Sequence, residues 1–423
     1  MAMPVLTAPP TTHQNFRPRN PITLQDAGLN QNMLVDLMLK LSLLDGVTTL
    51  GRLASQMKVS MNIMDQLFRH FRREQLCEVK GMVGNDYELT LSAAGRKLAT
   101  DRYTISQYIG PAPVKLDDYC QAVRAQAARH PVSRSMLNEV FFDLVLPDVM
   151  LDQIGPAILS STTIFLYGPT GNGKTSIAER LVRIYKDYVY IPYAIEVEGQ
   201  IINIYDSVVH QALEAQEEDV DPRWILCRRP CIATGGELVP EMLELRFDES
   251  LGFYSAPLQM KANNGLFIID DFGRQMINPR DLLNRWIVPL DRRVDFLSLR
   301  TGVKFPIPFE TLVVFSTNLD PRQLADEAFL RRIQNKIKVD AITIEIFDSI
   351  LDRVCQDAGI AFDPEMAAYI RQVCNPDGKG VLRACYPRDV VRILHSIAEY
   401  EHRAPSLNRR DIDRAVNLYF AKT

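Results

Sequence analysis

The chain has 423 residues, 47% of them apolar and 24% charged, with a formal net charge of −4. That is ordinary globular composition with room for two or three domains, and it gives no global reason to expect nucleic acid or an anionic membrane as partner. Seven cysteines spread over this length do not read as a disulfide framework, and the close pair Cys227/Cys231 has no second pair to complete a zinc site.

Residues 1–20, rich in Pro and Thr, predict a flexible tail without the apolar core of a signal peptide. No apolar run approaches the ~20 residues of a membrane span, so the expected location is cytoplasmic. Residues 21–103 form a first domain. "LVDLMLKLSLLDG" has helical apolar spacing and stops at Gly46. Then come helix, turn at Val59-Ser60, helix and strand, and a hairpin turning at Asn85-Asp86 into the alternating "YELTL". Helices followed by a hairpin wing resemble the winged-helix fold. Its second helix, about 60–74, carries Arg69, His70, Arg72 and Arg73, the position from which such domains often read DNA. Residues 1–110 nevertheless hold twelve Lys/Arg against nine Asp/Glu, little charge for several phosphate contacts. Protein docking and DNA binding both stay open.

"RYTISQYIGPAPVKL" (102–116) reads as a linker, and residues 104–139 as linker and helices. From 140 to 340, strands alternate with helical segments, the pattern of an α/β parallel sheet. Residues 341–423 are helical in spacing throughout.

Within the α/β region, "GPTGNGKT" (168–175) fits G-x-x-x-x-G-K-[ST] between an apolar strand and a helix, the P-loop context. Gly168, Gly171 and Gly173 permit the turn that aims backbone N–H groups at phosphates, and the helix N-terminus adds partial positive charge. Lys174 would reach the β- and γ-phosphates of ATP, and the Thr175 hydroxyl would ligate Mg²⁺. Pro169, Thr170, Asn172 and Ser176 complete the expected binding segment. "GLFIIDDFG" (265–273) contains the D-F-G of protein kinases, but no H-R-D-x-x-x-x-N loop precedes it, and a kinase does not use a P-loop. It reads instead as the metal-binding strand, with Asp270 at Mg²⁺ and Asp271 orienting the attacking water.

Further segments resemble the AAA+ ATPase family, over roughly residues 140–423. "ETLVVFSTNLD" (310–320) resembles its sensor-1 strand and places Asn318 near the γ-phosphate. "DEAFLRRI" (326–333) resembles its arginine-finger segment, with Arg331, Arg332 or both as fingers. "YPRDVVRIL" (386–394) resembles its sensor-2 helix, with Arg388 facing the phosphates from a helical lid at 341–423. The resemblance implies a homo-oligomeric, commonly hexameric ring in which each site is finished by a neighbour. The whole chain also resembles a bacterial group of predicted chaperone-like ATPases, sometimes linked to Flp pilus assembly.

Three functions follow: a ring ATPase that remodels or assembles a protein complex, a DNA-directed regulator, or an ATP-gated scaffold with little hydrolysis. Where the family usually has Glu, this chain has Asp271, shorter by one methylene, and misplacement by about 1 Å costs on the order of 10² in rate. The span from Lys174 to Asp270 leaves room for an insertion, expected as a β-hairpin within 235–262, whose Phe253 and Tyr254 or their neighbours either contact a substrate or partner or only pack on the ring.

Overall fold

A computed structural model describes residues 16–127, 131–160, 163–213, 219–324, 330–375 and 381–420. Of the expected tail, 1–15 lies outside these residues, whereas 16–20 is docked. Phe16 packs on Trp224 (ring centroids 5.6 Å apart) and Asp221 donates its N–H to the Pro18 carbonyl at 3.1 Å.

The first unit owes its boundaries to local chemistry. Asn30 caps helix Gln31–Asp45 through its side chain, and Gly46, at φ 74°, ends it. Helices Leu50–Met57 and Met61–Arg73 follow, each turning an apolar face inward. Strands Val47–Thr49, Asp86–Leu91 and Cys77–Val83 form an antiparallel sheet in that spatial order. Helix Ala93–Ile105, capped by Ser92, runs on into the stretch expected as linker. The remainder of that stretch is packed. Tyr108 and Ala112 are buried, and Gln107 donates its N–H to the Leu251 carbonyl at 2.7 Å. The cause is apolar: the Tyr108 ring meets Phe253 edge-on at 5.4 Å.

The α/β class holds. Strands Cys231–Thr234, Leu266–Ile269, Leu312–Thr317, Thr163–Tyr167 and Asn335–Lys338 lie side by side in that order, all parallel. In the three central strands nearly every residue is buried, because helices cover both faces of the sheet. Helices Arg134–Val140, Asp148–Leu159 and Lys174–Arg180 bring Leu137, Ile154 and Ile177 against one face. Helix Pro279–Arg292 brings Leu282 and Trp286 against the other.

Between the second and third segments of this sheet the simple alternation breaks down. Arg246–Asp248 and Phe253–Ser255 pair antiparallel, but the second strand also pairs in parallel with Gln200–Asn203. Gln200–Asn203 joins Ala194–Val197, and that joins Val114–Lys115, giving a second five-stranded sheet of mixed direction. Tyr254 is 2% exposed, and its hydroxyl accepts the Arg300 N–H at 3.0 Å. Phe253 packs against the core of the first unit. Of the two readings of this hairpin the structure has the packed one: both rings fill an internal joint.

Helices Ile344–Asp357, Pro364–Cys374, Cys385–Tyr400 and Arg409–Tyr419 close the chain around Phe347, Leu351, Val390, Leu394 and Ile412. Among the described residues no helix is long and apolar enough to cross a membrane.

Candidate nucleotide site

Strand Thr163–Tyr167 runs into the loop 168–173, and helix Lys174–Arg180 begins directly after it. Gly168, Gly171 and Gly173 adopt φ of 135°, 80° and 87°, where a Cβ is strained. Space adds a second demand at two of them. A Cβ on Gly168 would lie 2.3 Å from the Val339 carbonyl oxygen, and one on Gly171 2.7 Å from Cys385 Sγ. Around Gly173 a Cβ would meet nothing within 4 Å, so this part of the cradle is open.

Lys174 is 6% exposed, and its Nζ donates to the carbonyls of Gly168 (3.0 Å) and Pro169 (2.8 Å). Burial pulls its ammonium below the ordinary range, against the opposing pull of the Asp270 and Asp271 carboxylates. Thr175 Oγ1 donates to Asp270 Oδ2 at 2.8 Å. The sheet sets that meeting: Asp270 follows strand Leu266–Ile269, and its N–H reaches the Thr234 carbonyl of the next strand at 2.8 Å. A hydroxyl and a carboxylate oxygen side by side are hard donors of the kind Mg²⁺ takes.

Asp271 stands at φ +48°, a left-handed conformation that costs a non-glycine residue about 1–3 kcal/mol. Phe272 holds the chain there. It is 1% exposed, packed edge-on among Phe165 and Phe315 (centroids 6.1 and 4.9 Å), and its N–H donates to the Ser316 carbonyl at 2.7 Å. Its own carbonyl accepts Thr317 Oγ1 at 2.6 Å. The middle letter of D-F-G is thus a core anchor that presents its neighbour. Asn318, just past strand Leu312–Thr317, donates Nδ2 to Asp271 Oδ1 at 3.1 Å.

These groups line one cavity of about 790 Å³, with Thr170, Ser176 and Arg388 also on its wall. The C-terminal helices close one side. Cys385 donates its N–H to the Gly171 carbonyl at 2.9 Å, and Ala384 donates its own to Asn172 Oδ1 at 3.2 Å. Arg331 and Arg332 do not line this cavity. Arg331 is exposed, and Arg332 donates Nε to Asp291 at 2.7 Å. Residues 325–329, which include all of "DEAF", lie outside the described residues.

Sequence reading missed the apolar wall made by Leu144, Val145 and Leu146 with Ile350 and Val354 of helix Ile344–Asp357. A signal existed: "LVL" precedes Pro147, too short for an element and too apolar for an idle loop. Arg274 and Arg353 on the wall were missed as well. Arg353 donates to the Phe142 carbonyl and so ties the C-terminal helices to the segment before Leu144.

Fold and cavity together define a class: a parallel α/β domain with a glycine-rich loop between strand and helix, and an acidic strand end beside it. The family described as "Domain of unknown function (DUF8689)" matches residues 343–418, which is the C-terminal helical region alone. No curated protein matches the chain. Among solved structures the chain is similar to NtrX from Brucella abortus, at TM-score 0.41 and 15% identity, over 78% of this chain and 67% of that one. It is also similar to two RuvB variants from Thermotoga maritima, at TM-scores 0.38 and 0.40 and identities of 12% and 11%, over 66% of this chain and 72% of theirs. Likeness at these scores carries no argument, and the class rests on the sheet, the loop and the strand end.

Proposed function

We propose that the chain is an ATPase of the AAA+ type that binds ATP with Mg²⁺ and hydrolyses it. One observation carries this reading: Lys174, the Thr175–Asp270 pair and the Asp271–Asn318 pair converge on a single cavity. The loop N–H groups and Lys174 take the β- and γ-phosphates, with Gly168 to Ser176 as the binding segment. Thr175 and Asp270 would hold Mg²⁺, which when bound draws charge off the phosphoryl oxygens. Asn318 occupies Asp271 Oδ1 and leaves Oδ2 to orient a water. Arg388 brings positive charge from the helical lid, and the apolar wall of Leu144, Leu146 and Val354 excludes bulk water.

The exposure of Arg331 supports a role for Arg331 and Arg332 in a neighbouring copy's site, within a ring that the family resemblance makes hexameric. A finger supplied in trans contributes about 10³–10⁵ in rate. The biological task is remodelling or assembly of a protein complex, with the first unit, read as a winged helix, as adaptor. Its cations support protein over DNA: Arg69 pairs with Asp65 at 2.6 Å, Arg73 with Glu74 at 3.1 Å and Lys80 with Glu78 at 3.1 Å. Binding to duplex DNA with a steep salt slope would reverse that choice.

The test combines turnover with particle size, with and without ATP, for wild type, Lys174→Ala and Asp271→Asn. We expect Lys174→Ala to lose nucleotide binding. Asp271→Asn should bind and assemble but turn over about 10²–10³-fold more slowly. If wild type and Asp271→Asn are equally inert yet both assemble with ATP, the chain is a scaffold and not an enzyme.

A further inference from the structure

Five cationic side chains line the cavity among the described residues: Lys174, Arg180, Arg274, Arg353 and Arg388. Three of them are occupied. Lys174 donates to the loop, Arg180 to Asp143 at 2.9 Å, and Arg353 to the Phe142 carbonyl. Arg274 and Arg388, by contrast, make no side-chain hydrogen bond or ion pair among the described residues and are exposed to the cavity; Arg388 comes from the helical lid, and Arg274 from the turn that carries Asp271.

The backbone of that turn is anything but loose. Arg274 N–H donates to the Asp271 carbonyl at 3.0 Å, which closes a turn through Gly273 at φ 105°. The Gln275 side chain clamps that turn from inside, donating Nε2 to the Asp270 carbonyl and accepting the Gly273 N–H, both at 2.8 Å. Met276 N–H is tied to the Gly236 carbonyl at 3.3 Å. A Cβ on Gly273 would strike Leu324 at 2.7 Å, so the turn has no slack on that side either. The chain therefore reverses over three residues and sets Asp271 and Arg274 on the wall of the same cavity as Lys174, the first residue of the helix after the loop.

We propose that Arg274 is a phosphate-contacting residue supplied in cis, whose guanidinium takes the terminal phosphate of a bound nucleoside triphosphate beside the water oriented by Asp271. The inference rests on the ATPase reading above. An unpaired guanidinium offers a rigid fork of N–H donors that matches phosphate oxygens in pairs. With its backbone fixed on a clamped turn, only the side chain has to settle on the phosphate. In the step it serves, the water oxygen bonds to the γ-phosphorus and the bond to the β–γ bridging oxygen breaks. The water proton passes to Asp271 or to the phosphate, ADP departs, and Arg274 remains protonated throughout. Since neither Arg331 nor Arg332 lines the cavity of its own chain, Arg274 gives each subunit a share of finger-like charge that no neighbour has to deliver.

The experiment uses the full-length chain as wild type, Arg274→Ala and Arg274→Lys, all checked by thermal melting. Affinities for Mg²⁺-ADP and for a non-hydrolysable Mg²⁺-ATP analogue are measured by calorimetry, together with ATP turnover. Arg274→Ala should bind ADP as wild type does, bind the analogue about tenfold more weakly or worse, and turn over about 10²–10³-fold more slowly. Arg274→Lys keeps the charge but not the fork, and should fall between. Chains carrying Arg274→Ala are then mixed with chains carrying Asp271→Asn. No turnover should return, because every site lacks one of its own groups. Recovery on mixing would place Arg274 in the neighbour's site and overturn the cis assignment. Wild-type affinity and turnover in Arg274→Ala would overturn the proposal while leaving the ATPase reading intact. Wild type binding neither nucleotide would remove both.

Discussion

The parallel sheet and the mixed sheet each have five strands, yet they stand in opposite relation to the chain and to the cavity. In the parallel sheet, Thr163–Tyr167, Leu266–Ile269 and Leu312–Thr317 run through the molecule buried on both faces and end on one edge. The glycine-rich loop, Asp270 and Asn318 gather there, as ligand groups do at the carboxyl ends of such sheets. The mixed sheet is assembled from strands of two to four residues, drawn from Val114 to Ser255. Its edge hairpin holds the first unit in place: the Ser250 carbonyl accepts Gln107 Nε2 at 2.9 Å, and Phe253 meets Tyr108. Buried Arg223 reinforces the joint, donating to the carbonyls of Ala27 at 3.4 Å and Pro113 at 3.1 Å. One sheet is the platform that carries the cavity groups and the other a fastening. Strands buried on both faces hold the cavity groups to the frame, while the strands of the mixed sheet join one unit to another.

That contrast can be broken or sharpened by substitution. The largest effect is expected from Trp286→Ala, which removes a fully buried ring packed on Phe267 at 5.3 Å and Phe309 at 5.7 Å. Urea unfolding should show a loss of about 3–5 kcal/mol, with nucleotide binding lost alongside, since the platform itself is undermined. Asp271→Asn should instead leave the fold intact, because Asn tolerates the left-handed backbone. Its cost appears only in turnover, at about 2.7–4 kcal/mol of barrier.

Lys40 tests the fastening side. It is 3% exposed in the first unit, its Nζ donates to the Ser106 carbonyl at 3.1 Å, and burial lowers its pKa to about 8 from 10.5. Between those values the unfolded chain holds a proton that the native chain has released, so stability rises with pH from about 8 towards 10.5. Below pH 8 the penalty for the buried charge is fully present, at up to about 3 kcal/mol. Lys40→Met should therefore melt higher than wild type at neutral pH, by a margin that shrinks through that window. Tyr254→Phe should have the smallest effect. It orphans the Arg300 N–H and costs about 1 kcal/mol, with ADP and ATP affinities unchanged. A shift in nucleotide affinity there would show that the mixed sheet also communicates with the cavity, and the division of labour would fall.

Much of the platform was legible because its signals are local. Runs such as "LFII" and "LVVF" are buried on both faces and so are continuously apolar, and the loop at 168–175 carries its glycines where the backbone requires them. Asp270 and Asn318 were found because each stands just past such a run. The fastening was illegible for the converse reason. A two-residue strand at Val114–Lys115 has no period to detect, and its partner Ala194–Val197 lies some eighty residues on. Alternation in 246–255 marked strands but could not say which face would be covered: Tyr254 lies in the core of the mixed sheet, against Phe247 at 4.9 Å and under the Arg300 N–H.

The sequence alone determined the loop, the acidic strand end and the helical close of the chain, since each depends on residues within one turn or one strand of each other. Tertiary structure decided which charges are spent and which remain available. Arg180 meets Asp143 across 37 residues, Arg332 meets Asp291 across 41, and Asn318 meets Asp271 across 47. Pairings at that range are set by how the sheet brings strand ends together, and no local pattern of residues encodes them.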